Sequence, residues 1–431
     1  MDFIEIPLAY GQKFLKIKVK RGHLLGVLHP KKVQVQRPPQ DIISNSLNLP
    51  IATSKFEGIF HQREKTVIIV PDKTRRCGAS IFLPLLVNRL NSVGIEDEDI
   101  RIILATGSHS KHRPQEIEHL VGSEVYERIN IIEHNCHNAD DLIYLGATKF
   151  GIPVYINRHV VDADRRIATG TVLHHYFAGY GGGPKMINPG CAGYETITKN
   201  HAMTIDPETG NIHPKCQPCV LEGNPVHEDI IDSLKFIRVD FLLETILNEK
   251  GEIVDVVCGD LLQAHQKACK VVDSIYRIPI KEKADLVVAS CGGYPKDINF
   301  IQAHKSIHNA FNAVKEGGVI LALAACAEGI GSQTLMEWFR FSDNLTLRNN
   351  LIKNYKVNGT TALSLKMKTQ SAKIILISKL QKPVVKELGM LPAATLEEGW
   401  SLACSFLRDD FKSYVIPNGS LTLPIMSEYE E

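Results

Sequence analysis

The chemically capable side chains crowd into one stretch, GTVLHHYFAGYGGGPKMINPGCAGYETITKNH, from Gly170 to His201. Two adjacent histidines, His174 and His175, precede the run Gly181-Gly182-Gly183. Lys185 follows that run, and His201 lies beyond it. A glycine run lets backbone N–H groups approach an anion closely, because glycine tolerates positive φ and has no Cβ. Such a run also serves as a plain turn. A lysine beside it can hold a phosphate or bond covalently to a cofactor. Histidines exchange protons near neutral pH or bind a borderline-soft divalent metal. Pro184 and Pro189 forbid one continuous helix, so the segment reads as a loop lining a site.

Strands and helices must position that loop. Thr66-Val-Ile-Ile-Val70 is a β-branched run of the kind buried in parallel sheets. It leads into Asp72, Thr74 and Arg75, then into a helical pattern over Ile81–Leu90. Ile100–Ala105 repeats the arrangement, with Thr-Gly-Ser-His109 behind it and a helix starting near Pro114. Val154–Val161 and Arg166–Thr169 read as further strands, the latter feeding the His/Gly/Lys loop. Ligands of open α/β sheets bind beyond the carboxyl ends of strands, where these polar loops lie. Ala284–Ser290, a helix over about 299–314 and a strand from Val319 restart the same logic. Gln302 and Lys305 share one face of that helix.

These units predict an α/β protein of two domains, each with a mainly parallel sheet flanked by helices and with the active site in the cleft between them. The expected boundaries are an N-terminal domain over 1–278, a C-terminal domain over 283–415 and a tail over 416–431. A length of 431 residues suits two cores. The formal net charge of +1, without blocks of like charge, argues against nucleic acid or an anionic membrane as partner. The N-terminal segment lacks the apolar stretch of a signal peptide, and no run is long enough to span a bilayer. The ten scattered cysteines then read as reduced thiols in a cytoplasmic protein. His213 with Cys216 and Cys219 reads as a turn-rich surface loop, because no second ligand pair follows at zinc-site spacing.

DKTR at 72–75, ATGSH at 105–109, HHYFAGYGGGPKMINPG at 174–190, NH at 200–201 and GGYPKDINFIQAHK at 292–305 together resemble the nickel-pincer lactate racemase family. The resemblance spans roughly residues 66–325. It implies that Lys185 carries a covalent pyridinium-3,5-bisthiocarboxylic acid mononucleotide, with Thr74, Gly181, Gly182 and Gly183 around that cofactor. His201 would ligate nickel, and His109 and His175 would be the two acid–base groups. Asp72, Arg75, Gln302 and Lys305 would bind the substrate, a 2-hydroxy acid such as lactate. Cofactor-biosynthesis proteins would be partners in maturation. Arg76, His174 and Ile301 depart from the family pattern; Ile301 stands where lactate-processing members tend to show tyrosine, which bears on which 2-hydroxy acid is used.

The chemistry of racemisation agrees with these assignments. The C2 hydrogen must leave one face and return to the other. If it leaves as hydride, the hydroxyl proton leaves too, giving a 2-oxo acid. Each enantiomer presents its hydroxyl differently, so two histidine bases are useful. Two other readings stand beside this one. A nicotinamide-dependent oxidoreductase lacks support from any G-x-G-x-x-G after a strand. The other is a non-catalytic binding protein.

Overall fold

A computed structural model describes residues 2–341 and 343–427. The chain forms two compact units. One comprises 32–204 and 213–273; the other begins with the N-terminal segment through Lys31, includes Ile205–Ile212 and resumes at Ser274. A single boundary at 278–283 therefore does not describe the chain. The N-terminal residues belong to the later unit because the strand Leu24–Val27 pairs in parallel with Ser413–Ile416. The expected 416–431 tail is likewise corrected: Leu423–Met426 pairs with Arg277–Ile280. Residues 428–431 lie outside the described residues.

The first unit is built on a six-stranded sheet in the order Ile253–Gly259, Phe241–Leu247, Arg165–Thr171, Thr66–Pro71, Ile100–Ala105, Asn130–Glu133. Neighbours are parallel except for the edge hairpin of 241–247 with 253–259. All six residues of Thr66–Pro71 are buried, as expected of a central strand covered on both faces. The helix Ala79–Ser92 covers one face through Phe82, Leu83, Leu86 and Leu90, packed on Ile68, Val70, Ile102 and Leu104. Val154–Val161 is a strand only over Pro153–Asn157. Asn157 then caps a short helix, its side chain accepting from the His159 N–H.

The second unit has an all-parallel sheet ordered Leu391–Ala393, Lys373–Ile377, Val314–Leu323, Ala284–Ser290, Ser413–Ile416, Leu24–Val27. One face packs on the helix Phe300–Phe311. The other packs on the N-terminal hairpin of Phe3–Tyr10 and Lys13–Lys20 through Ile6, Leu8, Ile17 and Val19. Among the described residues no helix is long and apolar enough to cross a membrane. All ten cysteines are free thiols.

Candidate active site

Three adjacent parallel strands of the first unit end in the loops singled out by sequence. Thr66–Pro71 delivers Asp72, Thr74 and Arg75; Ile100–Ala105 delivers His109; Arg165–Thr171 delivers the His/Gly/Lys segment. Asp72 is 3% exposed. Its Oδ1 accepts the Thr74 N–H at 2.7 Å, and its Oδ2 lies 2.5 Å from His109 Nδ1. Burial alone would raise this carboxyl, but the His109 ring and then Arg75 outweigh it and hold the group well below the usual carboxylate range. Asp72, expected at the substrate, is thus committed to His109. A neutral His109 that donates Nδ1–H to Asp72 presents a bare Nε2. Arg75 forms no ion pair with Asp72 among the described contacts, and its only described side-chain hydrogen bond is a long one, 3.5 Å, to Thr74 Oγ1.

The neighbouring polar groups brace this loop. His112 Nε2 accepts the Lys73 N–H at 3.0 Å, while His112 Nδ1 meets Glu133 at 2.6 Å. Lys73 Nζ pairs with Glu116 at 2.8 Å. His109 does not cap the next helix: its N-cap is Arg113.

The His/Gly/Lys segment is a two-residue ribbon, His174–His175 paired antiparallel with Gly179–Tyr180, followed by a 3-10 turn at Gly183–Met186. Alternation along a strand sends the two histidines to opposite faces. His174 Nε2 meets Asp273 Oδ1 at 2.8 Å. His175 Nδ1 accepts the Ala178 N–H at 3.2 Å, so neutral His175 carries its proton on Nε2. The Phe177 ring is the hub of the face that His175 shares. Its centroid lies 4.5 Å from that of His175, 5.2 Å from that of His201 and 5.6 Å from Lys185 Nζ.

Burial dominates the electrostatics here. It pushes the Lys185 amine down to about 7, with the Arg75 charge adding to the effect. It pushes His201 down to about 3, helped by Lys185 and His109. At neutral pH His201 therefore offers an unprotonated nitrogen, and Lys185 is in large part a free amine. These are the states a metal ligand and a covalent carrier require. The donor set fits a metal and a lysine-linked group. His201 sits in the last turn of the helix Tyr194–Ala202. That turn is pinned by buried Asn200, whose Nδ2 donates to Val226 O at 3.0 Å and to Asp229 Oδ2 at 2.8 Å.

The glycine run has a different reason from the one read in the sequence. Buried Glu244 aims its Oε1 at the Gly183 N–H, 2.5 Å away, and its Oε2 at His265 Nδ1, 2.8 Å away. A Cβ on Gly182 would stand 2.1 Å from Glu244 Oε1, and one on Gly183 would stand 2.5 Å from the His265 ring. Both residues also have positive φ, 84° and 49°. The anion at Gly183 is thus the protein's own carboxylate, which corrects the expectation that this N–H faces a cofactor phosphate.

Sequence reasoning missed this support. Two signals could have found it. Glu244 is a charge inside the strand Phe241-Leu-Leu-Glu-Thr-Ile-Leu247, whose residues are all buried. His265, Cys269 and Asp273 recur every four residues on the helix Leu261–Tyr276, which places them on one face. Gln302 and Lys305 lie in the second unit, on Phe300–Phe311, and are joined by a 2.6 Å hydrogen bond from Lys305 Nζ to Gln302 Oε1.

Residues 10–211 match the lactate racemase N-terminal domain, and residues 280–423 match the lactate racemase C-terminal domain. The lactate racemase of Thermoanaerobacterium thermosaccharolyticum is 31% identical over 427 residues, covering 97% of this chain and 98% of the relative. That of Lactiplantibacillus plantarum is 28% identical, covering 96% and 98%. The solved lactate racemase apoprotein of T. thermosaccharolyticum superposes with a TM-score of 0.88 at 29% identity, covering 98% of this chain and all of that one. A Thermotoga maritima protein shares the fold with a TM-score of 0.69 at 17% identity, covering 92% of this chain. With both family domains matched and a relative 31% identical over nearly its whole length, the chain belongs to the lactate racemase family of isomerases.

Proposed function

We propose that the protein interconverts the enantiomers of a 2-hydroxy acid, lactate or a related 2-hydroxycarboxylate, in the cytoplasm. The observation that carries this reading is the grouping of His175, Lys185 and His201 around Phe177, with the Asp72–His109 pair on the neighbouring strand loop. Lys185 is the residue to hold a nickel-pincer nucleotide covalently, and His201 the residue to ligate its nickel. Bound there, that group supplies a reversible acceptor for the C2 hydride. Thr74, Gly181 and Gly182 are the remaining candidates for contact with it.

His109 and His175 handle the hydroxyl proton, one for each enantiomer. His109 presents Nε2 as base because Asp72 takes its Nδ1 side and stabilises the imidazolium that forms. His175 presents Nε2–H as a hydrogen-bond donor to the substrate oxygen because its Nδ1 accepts from Ala178. Both rings are then neutral and differ in tautomer; proton exchange requires one of them to take up a second proton and serve as the imidazolium acid while the other serves as base. Arg75 offers a planar fork to the substrate carboxylate. Gln302 and Lys305 remain assigned to substrate. Asp72 acts through His109 as a positioning residue.

The test is intact mass and metal analysis after co-expression with pincer-cofactor biosynthesis proteins and nickel, followed by chiral chromatography of 2-hydroxy acids. The expected result is an adduct lost in Lys185→Ala, with enantiomer interconversion lost in His109→Ala and His175→Ala while the adduct remains. Absence of adduct and nickel, in a host that loads a known family member, overturns the reading. So does substantial racemisation by both histidine variants.

A further inference from the structure

On the opposite face of the ribbon from His175, His174 meets two residues distant in sequence. Its Nε2 lies 2.8 Å from Asp273 Oδ1, and Cys219 Sγ lies 3.7 Å from the same oxygen. The ligand atoms of His174, Cys219 and Asp273 all fall within 4.8 Å of one another. Among the described residues this is the one such group of three. We propose that His174, Cys219 and Asp273 form a second metal site, for a borderline-soft divalent cation of the zinc type.

Geometry and donor chemistry both point this way. Bond lengths around tetrahedral zinc put a nitrogen and an oxygen ligand roughly 3.3 Å apart, and a sulfur and an oxygen ligand roughly 3.6 Å apart. The observed separations need only small side-chain shifts to meet those values. One imidazole, one thiolate and one carboxylate suit zinc, cobalt(II) or nickel(II) and disfavour calcium or magnesium. Three protein ligands leave a fourth position for water. Part of the outer shell is present: the Tyr180 hydroxyl donates to both Asp273 oxygens at 2.9 Å, whereas His174 Nδ1, which would carry the proton in the metal-bound ring, is buried without a hydrogen-bond partner among the described residues. Cys219 is held in place by its N–H to Gly179 O at 3.2 Å, and its backbone sits at φ 66°, a conformation rare for a non-glycine residue.

Binding proceeds by loss of the Cys219 thiol proton to solvent and by a shift of the His174 proton from Nε2 to Nδ1. Asp273 contributes its existing charge. The bound ion would tie three segments together: the ribbon 174–180, the loop reaching Cys219 and the last turn of the helix Leu261–Tyr276. The site would therefore clamp the ribbon that carries His175 from behind. The proposal is independent of the active-site reading.

The test uses the full chain expressed without cofactor-biosynthesis proteins, stripped with chelator and titrated with Zn²⁺ or Co²⁺. One tightly bound equivalent of Zn²⁺ is expected, with binding at least about tenfold weaker in Cys219→Ser and in Asp273→Asn. It should be unchanged in His201→Ala, which reports on the active-site ligand. Saturation with Co²⁺ should give a thiolate-to-cobalt charge-transfer band in the unsubstituted protein, a readout that requires no variant to fold. Absence of that band at saturating Co²⁺ overturns the site. Zn²⁺ binding that survives Cys219→Ser but is lost in His201→Ala also overturns it.

Discussion

Replacing Glu244 probes the support beneath Lys185. Its side chain is fully buried and holds two donors at once, the Gly183 N–H and His265 Nδ1. Burial by itself would weaken the basicity of His265. The Glu244 carboxylate, with Cys269, outweighs burial and pushes His265 up to about 10. Glu244→Ala leaves a buried cation without its counter-charge and a buried N–H without an acceptor. Breaking such a pair from one side costs about 3–5 kcal/mol. At roughly 2–4 °C per kcal/mol for a unit of this size, the melting temperature should fall by about 6–20 °C. Glu244→Gln keeps an acceptor for Gly183 and removes only the charge, so it should cost about 1–3 kcal/mol.

The pH dependence separates the charge from the packing. His265 has a raised pKa in the folded state, so the folded chain binds more protons than the unfolded chain between about 6.5 and about 10. The stability this supplies is full below about 6.5 and is lost as pH rises through the folded value. Urea unfolding of the wild type and Glu244→Gln at pH 6 and pH 9.5 should therefore show a gap that narrows at the higher pH. A gap equal at both pH values would refute the buried ion pair. A Glu244→Ala variant as stable as wild type would refute the structural role of this carboxylate altogether.

Further outcomes follow from the same geometry. An amine-reactive reagent should label Lys185 with a midpoint near pH 7, against about 10.4 for surface lysines, as read by peptide mass spectrometry; a midpoint near 10 would contradict its burial. Gly182→Ala should destabilise by about 1–3 kcal/mol in thermal unfolding, because the positive φ disfavours a side chain there and the new Cβ collides with Glu244. His109→Ala should lower turnover by about 10²–10⁴-fold. It should also remove part of the stability that Asp72 supplies above its unfolded pKa near 3.9, visible as a shallower loss of stability on acidification.

Much of the fold and site was legible because the signals were local. The β-branched run at 66–70 and the largely apolar run at 284–290 mark buried parallel strands by composition alone. The loops behind them carry Asp72, His109 and Lys185 wherever the strands go. What escaped depends on contacts between residues far apart in sequence. Nothing in Leu24–Val27 says that it will join a sheet with Ser413–Ile416. The role of Asp72 needs the distance to His109, which spacing cannot supply. Cys219 looked like half of an incomplete motif because Asp273 follows it only after a helix, a strand pair and most of a second helix. The glycine run was the subtlest case: positive φ was readable, but the reason for two missing Cβ atoms is a carboxylate on another strand.

The helix Leu261–Tyr276 links these observations. His265, one turn into it, pairs with the carboxylate that receives the Gly183 N–H, two residues before Lys185. Cys269 Sγ lies 3.6 Å from His265 Nε2. One further turn along, Asp273 receives His174, Cys219 and Tyr180. A single helical stripe thus holds the turn that carries Lys185 at one point and the ribbon that carries His175 at another. Two groups proposed to act on one substrate gain from sharing one rigid support, because a displacement of about 1 Å between them costs on the order of 10²-fold in rate. The stripe accounts for polar, titratable residues on a helix face that composition alone would have filled with leucine or valine. At that stripe the Glu244–His265 pair holds the backbone two residues before Lys185 by accepting the Gly183 N–H, a hydrogen bond that an apolar contact of equal volume cannot make.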